Sequence, residues 1–148
     1  MALNRRSPLK RKKAVRKKSA KMPAKSKLDD LFRQFIRQRD GMMCQVARHW
    51  WVDEDGHPHT CSGPIQVSHI YSRRYLSTRW MPENAVLKCA AHHYWWSDRP
   101  LDGAHWFDST YPGRREIIRE RLALNQRPDF RDVEAELRGL LTGVASLA

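Results

Sequence analysis

The chain has 148 residues, three cysteines and a formal net charge of +12, a length that suits one domain with a real core. No run of about 18 apolar residues occurs, which argues against a membrane span. No apolar signal core follows the basic start, so the sequence predicts a protein that is not secreted.

The charge is unevenly placed. Residues 1–27 hold twelve of the 28 bases and no acid, so the remaining sixteen bases face all sixteen acids. This stretch, "MALNRRSPLKRKKAVRKKSAKMPAKSK", has too little apolar content to offset the entropy of ordering, and residues 1–25 are expected to form a disordered basic tail. Its natural partner is a polyanion such as DNA, through Lys10, Arg11, Lys12, Lys13, Arg16, Lys17 and Lys18. A solubilising or targeting tail is the alternative.

Residues 26–148 are expected to form a single domain. "SKLDDLFRQFIRQRDG" spaces Leu28, Leu31, Phe32, Phe35 and Ile36 as one face of a helix, with Ser26 as N-cap, Asp29 and Asp30 in the first turn and Gly41 as the stop. Arg33, Arg37 and Arg39 occupy its other face, where they could touch phosphate, although a solvated face is the commoner use. "GPIQVSHIYSRRYL" reads as a strand, with Ile65, Val67 and His69 on one side and Gln66 and Ser68 on the other. A polar turn at "STRWMPEN" leads to a second short strand, "NAVLKC", and then to a helix, "AAHHYWWSDR", that ends before Pro100. Two more amphipathic helices follow at about 113–141, carrying Ile117, Ile118 and Leu122, then Phe130, Val133, Leu137 and Leu140. The fold class is α+β.

An odd set of cysteines, Cys44, Cys61 and Cys89, fits metal binding in a reducing compartment better than a disulfide framework. Cys89 and His92 are separated by two residues at a strand-to-helix turn, where both can reach one ion. Cys44 and Cys61 would complete a tetrahedral Cys3His site for structural zinc. Sixteen residues separate Cys44 from Cys61, so an inserted loop turning at "DEDG" must connect them, and its His49, His57 and His59 compete as ligands. Adjacent helical side chains diverge by about 100°, so His93 cannot share an ion with His92 and must do something else. His69, Asn84 and His93 then form a series able to supply what metal-assisted phosphodiester cleavage needs: a base to activate water, and a divalent ion for the transition state.

These residues resemble the HNH endonucleases of the ββα-metal fold, with "CAAH" where that family usually has Cys-x-x-Cys; the match covers residues 61–97. A wider similarity, through "KLDDLFRQFIRQRD", "SHIYSRRYLSTRW" and "PENAVLKCAAHH", is to the phage NinG (Rap) recombination nucleases. The resemblance implies a small ββα-metal core with structural zinc, flanked by the N-terminal helix and two C-terminal helices. It implies His69 as general base, His93 as ligand of a catalytic Mg2+ or other divalent ion, and Asn84 as the residue that fixes the loop of the base or helps hold the metal. It also implies a DNA substrate, with branched recombination intermediates the class of choice, and a bacterial cytoplasm as the location if the gene is phage or prophage encoded. Ser68 stands where many of these enzymes have a metal-binding Asp.

Arg73, Arg74 and Arg79, between base and Asn, are candidates for gripping DNA phosphates. Trp80, Tyr94, Trp95 and Trp96 either stack on unpaired bases or belong to the core, the commoner fate. Two other readings fit the residues: a zinc module that binds nucleic acid without cutting it, and a restriction or homing nuclease, which would normally bring a further recognition domain. A dimer is compatible with all three.

Overall fold

Helix α1 (Lys25–Arg39) forms where the apolar spacing demands it, burying Leu28, Phe32, Phe35 and Ile36. Each such side chain contributes roughly 1.5–3 kcal/mol by leaving water. The computed structural model, which describes residues 21–49 and 60–145, corrects the expected helix start. Ser26 lies inside α1; the N-cap is Ala24, with no side-chain cap bond. Docking of Leu28 into the core, rather than a cap, sets the start. Asp29 is engaged elsewhere, accepting from Arg79 and Trp80. The helix stops at Gly41 as expected, with Gly41 and Met42 N–H groups returning to the carbonyls of Gln38 and Arg37.

A four-residue helix, α2 (Gln45–Arg48), comes next. Strands β1 (Ile65–His69) and β2 (Ala85–Cys89) pair antiparallel, with Ile65 opposite Cys89 and His69 opposite Ala85. Every residue of β2 is buried. Its alternate side chains enter two different cores: Ala85 and Leu87 join the α1 cluster, and Val86 joins the cluster of Cys44, Cys89, Trp106, Phe107 and Ile118. Among the described residues no third strand pairs with β2; side chains satisfy its outer edge instead. The buried Asp40 carboxylate accepts from Leu87 N at 2.8 Å, and Arg39 and Arg114 both donate to the carbonyls of Pro82 and Ala85. Unmet backbone groups at a buried edge would otherwise cost about 1–3 kcal/mol each.

After β2 comes α3 (Ala90–Asp98), and then α4 (Pro100–Thr110), a helix absent from the sequence expectation. Pro100 ends the first and starts the second, since proline is at home in a first helical turn. A Cβ on Gly103 would lie 2.7 Å from the Trp96 ring, so glycine is what lets α4 fold back on α3. Trp106 and Phe107 are fully buried there. Helix α5 (Arg114–Leu124) and helix α6 (Phe130–Ala145) are the expected C-terminal pair. The latter lies along α1, with Phe130 edge-on to Trp80 at 5.1 Å between centroids. The architecture is thus α+β, with six α-helices and a two-stranded antiparallel sheet among the described residues. No described helix is long and apolar enough to cross a membrane.

The tail bases Lys10 to Lys18, the "DEDG" turn, His57 and His59 lie outside the described residues.

Candidate functional site

Cys44, Cys61, Cys89 and His92 come together although they span 49 positions of sequence. Their ligand atoms all lie within 4.8 Å of one another. Cys44 enters from the N-cap position of α2 and Cys89 from the N-cap position of α3, with His92 one turn on. Cys61 arrives on a loop tied to that same turn, where Ala91 N donates to Ser62 O at 3.1 Å. Gly63, at φ +74, is required beside it: a Cβ there would sit 2.7 Å from that of Ala90. The three sulfurs surround one imidazole nitrogen, with His92 Nδ1 at 3.3 Å from Cys44 Sγ, 3.6 Å from Cys61 Sγ and 3.0 Å from Cys89 Sγ. Tetrahedral zinc with ordinary Zn–S and Zn–N lengths would set S···N edges of about 3.5 Å, so the donors fit a cation such as zinc. Burial, together with hydrogen bonds from Cys89 and Cys44, pushes the Cys61 thiol up to about 12. Three thiols this close cannot all ionise without a cation between them. His49, a competing ligand on sequence grounds, instead packs edge-on against Tyr111.

The second constellation is the loop from β1 to β2. Asn84 is fully buried and its amide is committed: Oδ1 accepts from Tyr71 N at 2.8 Å, while Nδ2 donates to Tyr71 O at 3.1 Å and Thr78 O at 3.0 Å. Of the two roles expected for it, these bonds match fixing the loop. The same loop carries Arg79, whose carbonyl lies 3.0 Å from His69 Nε2. A carbonyl only accepts, so Nε2 holds the proton in the neutral ring and Nδ1 keeps its lone pair. Burial chiefly, helped by the charges of Arg73 and Arg79, lowers the His69 pKa and favours that neutral form. His69 stacks on Phe32 at 5.5 Å and lines a cleft of about 160 Å³ between α1, β1 and the loop, with Asp29, Arg33, Arg37, Gln66, Val67 and Arg73.

His93 stands apart from this cleft. It is exposed on α3, and burial of part of its ring and the charge of Lys88 lower its pKa. Lys88 is fully buried, lies 3.4 Å from the centre of the Trp96 ring and has its own pKa lowered by burial to about 7. Since β2 alternates, Lys88 is on the side of the hairpin away from α1, whereas His69 faces α1. The two imidazoles expected to share one reaction do not line one cleft. Ser68, also buried, is opposite Val86 on the Lys88 side. Among the described residues, the zinc-type cluster is the one group of three or more His, Cys, Asp or Glu donors, and His93 does not belong to it.

The expected phosphate-gripping arginines diverge. Arg79 is spent on structure, with both side-chain oxygens of Asp29 as acceptors and the Arg73 carbonyl as a third. Arg74 donates to the Tyr75 hydroxyl. Arg73 is exposed and lines the cleft. Of the aromatics, Trp80 is core, Trp95 and Trp96 are half-buried, and Tyr94 is exposed. Sequence reasoning missed Asp29 as the anchor of the Arg79 loop, for an acid within an amphipathic helix carries no mark of a partner fifty positions away. It also missed Lys88, whose place in an otherwise apolar strand was the available signal.

The fold and site thus define a small α+β protein with a Cys3His cluster able to hold a metal ion. Comparison with models of known protein families, with curated proteins and with solved structures gave no match.

Proposed function

We propose that this protein is an HNH-type endonuclease that hydrolyses phosphodiester bonds in DNA, with zinc at the Cys3His cluster as a structural element. One observation carries the reading: His69 is held by the Arg79 carbonyl in the tautomer that leaves Nδ1 unprotonated, in a cleft walled by arginines. A neutral imidazole so fixed is equipped to take a proton from water attacking a phosphodiester, and the guanidinium groups suit the phosphate it attacks. The hydrogen bonds of Asn84 and the Asp29–Arg79 pair hold the carbonyl in place, and with it the ring. Zinc at the cluster would supply folding free energy by tying α2, the Cys61 loop and α3 together. A catalytic divalent ion on His93 lacks a protein donor set among the described residues. Branched DNA is the substrate class we favour, from the similarity to the NinG group.

One specific observation favours the second reading, a zinc module that binds nucleic acid without cutting it: His93 is not among the residues that line the His69 cleft. Nicking of supercoiled plasmid in the presence of Mg2+, Mn2+ or Ni2+ decides between them. Cleavage that falls about 100-fold or more in His69→Ala, with zinc content unchanged, supports the endonuclease. Binding without cleavage in any of these ions supports the module. A panel of four-way, flap and linear DNA then tests the preference for branches.

A further inference from the structure

Helix α1 presents Arg33 and Arg37 one turn apart, and both line the His69 cleft. Both also line a second hollow, of about 260 Å³, that continues along the helix past Asp30, Gln34, Gln38 and Met42. From Asp29 to Gln38 this surface runs roughly 13 Å at the helical rise per residue. Arg33 pairs with Asp30 at an exposed position; Arg37 and Arg73 have no carboxylate within ion-pair distance among the described residues. Outside the tail the bases and acids of the chain balance, so cations gathered at one cleft are an uneven placement within a neutral body. Arg39, on the same helix, is turned inward to Asp40 and the Pro82 and Ala85 carbonyls. The helix therefore divides its arginines between structure and cleft.

We propose that α1 is the strand-binding wall of the site: one strand of the nucleic acid lies along Arg37 and Arg33, held through its phosphates, and enters the cleft between Arg73 and His69. The length of the track and its cationic side chains suit several successive phosphates rather than a single nucleotide. Guanidinium groups one turn apart suit contact with successive phosphates of the backbone. This inference rests on the endonuclease reading for the identity of the ligand, but its test does not depend on cleavage.

The full chain is compared with Arg33→Gln/Arg37→Gln and with a control of equal charge change on α5, Arg119→Gln/Arg121→Gln. Binding to one duplex carrying a single-stranded arm is measured at several salt concentrations. The α1 pair should reduce the slope of log K against log salt by about 2 and weaken binding at low salt at least 10-fold, at roughly one unit of slope for each phosphate no longer neutralised. The control should keep the parent slope. Equal effects in both doubles, or none in the α1 pair, would overturn the track; so would competition by a mononucleotide as effective as competition by the arm. If the α1 effect holds while no DNA is cut, the endonuclease reading fails and the track stands. If His69-dependent cutting persists with an unchanged slope, the reverse is true.

Discussion

Asn84 grips Tyr71 at both ends of its peptide environment, accepting from the Tyr71 N–H at 2.8 Å and donating to the Tyr71 carbonyl at 3.1 Å. With the third bond, to Thr78 O, one buried side chain stands in for a piece of backbone and closes the β1–β2 loop. Asn84→Ala should destabilise the protein by about 3 kcal/mol or more, since several buried groups would be left without partners at about 1–3 kcal/mol each. Asn84→Asp should do no better, because it would aim a carboxylate oxygen at a carbonyl. Chemical denaturation checks both; an alanine variant within about 1 kcal/mol of the parent would show that the loop is held by something else.

Zinc content offers the second test. Elemental analysis after dialysis against EDTA should return about one zinc per chain. Cys89→Ser, at the buried strand-to-helix junction, should lose both metal and fold, given that structural zinc supplies on the order of 10 kcal/mol. Cys61→Ser, at the exposed corner, should weaken binding with less damage. A Cys89→Ser protein that is folded and free of zinc would remove the structural role.

Lys88 bears on the same centre. Its charge interacts favourably with Cys44, and three thiolates with one imidazole leave a zinc site one negative charge in excess. Lys88→Met should therefore weaken zinc retention against a competing chelator by roughly 10-fold, the scale of outer-shell changes at metal sites. Unchanged or tighter retention would mean that burying the ammonium costs more than the attraction returns.

The depressed pKa of His69 gives a pH dependence with a definite sign. Its folded pKa lies below the unfolded value of about 6.5. In the window between them the unfolded chain binds more protons, so stability falls as pH drops through 6.5 and stops falling once the folded pKa is passed. His69→Gln should flatten that part of the stability curve, measured as the denaturation midpoint from pH 7.5 to 5. The acidic limb of the cleavage rate should also lie below pH 6.5, and a limb above 7 would contradict a neutral buried base.

The sequence by itself determined the local elements and the short-range chemistry. Apolar periodicity located α1, α5 and α6, because a helix shows its buried face at fixed spacing whatever it packs against. Alternation located β1, and the Cys89-to-His92 interval marked a metal-ligating turn because both donors sit within one strand-to-helix junction. Only the tertiary structure decided the rest. The closeness of Cys44 and Cys61 to that turn depends on where α2 and the Gly63 loop dock. Helix α4 was hidden by Pro100, which reads as a stop and serves here as a start, and whose helix is held by Trp106 and Phe107 beneath α3. The fate of each arginine was equally illegible: Arg37, Arg39 and Arg79 are alike as letters. Whether a guanidinium meets Asp40, Asp29 or open solvent is set by which buried carbonyls and carboxylates lie within its reach, a consequence of packing between residues up to fifty positions apart.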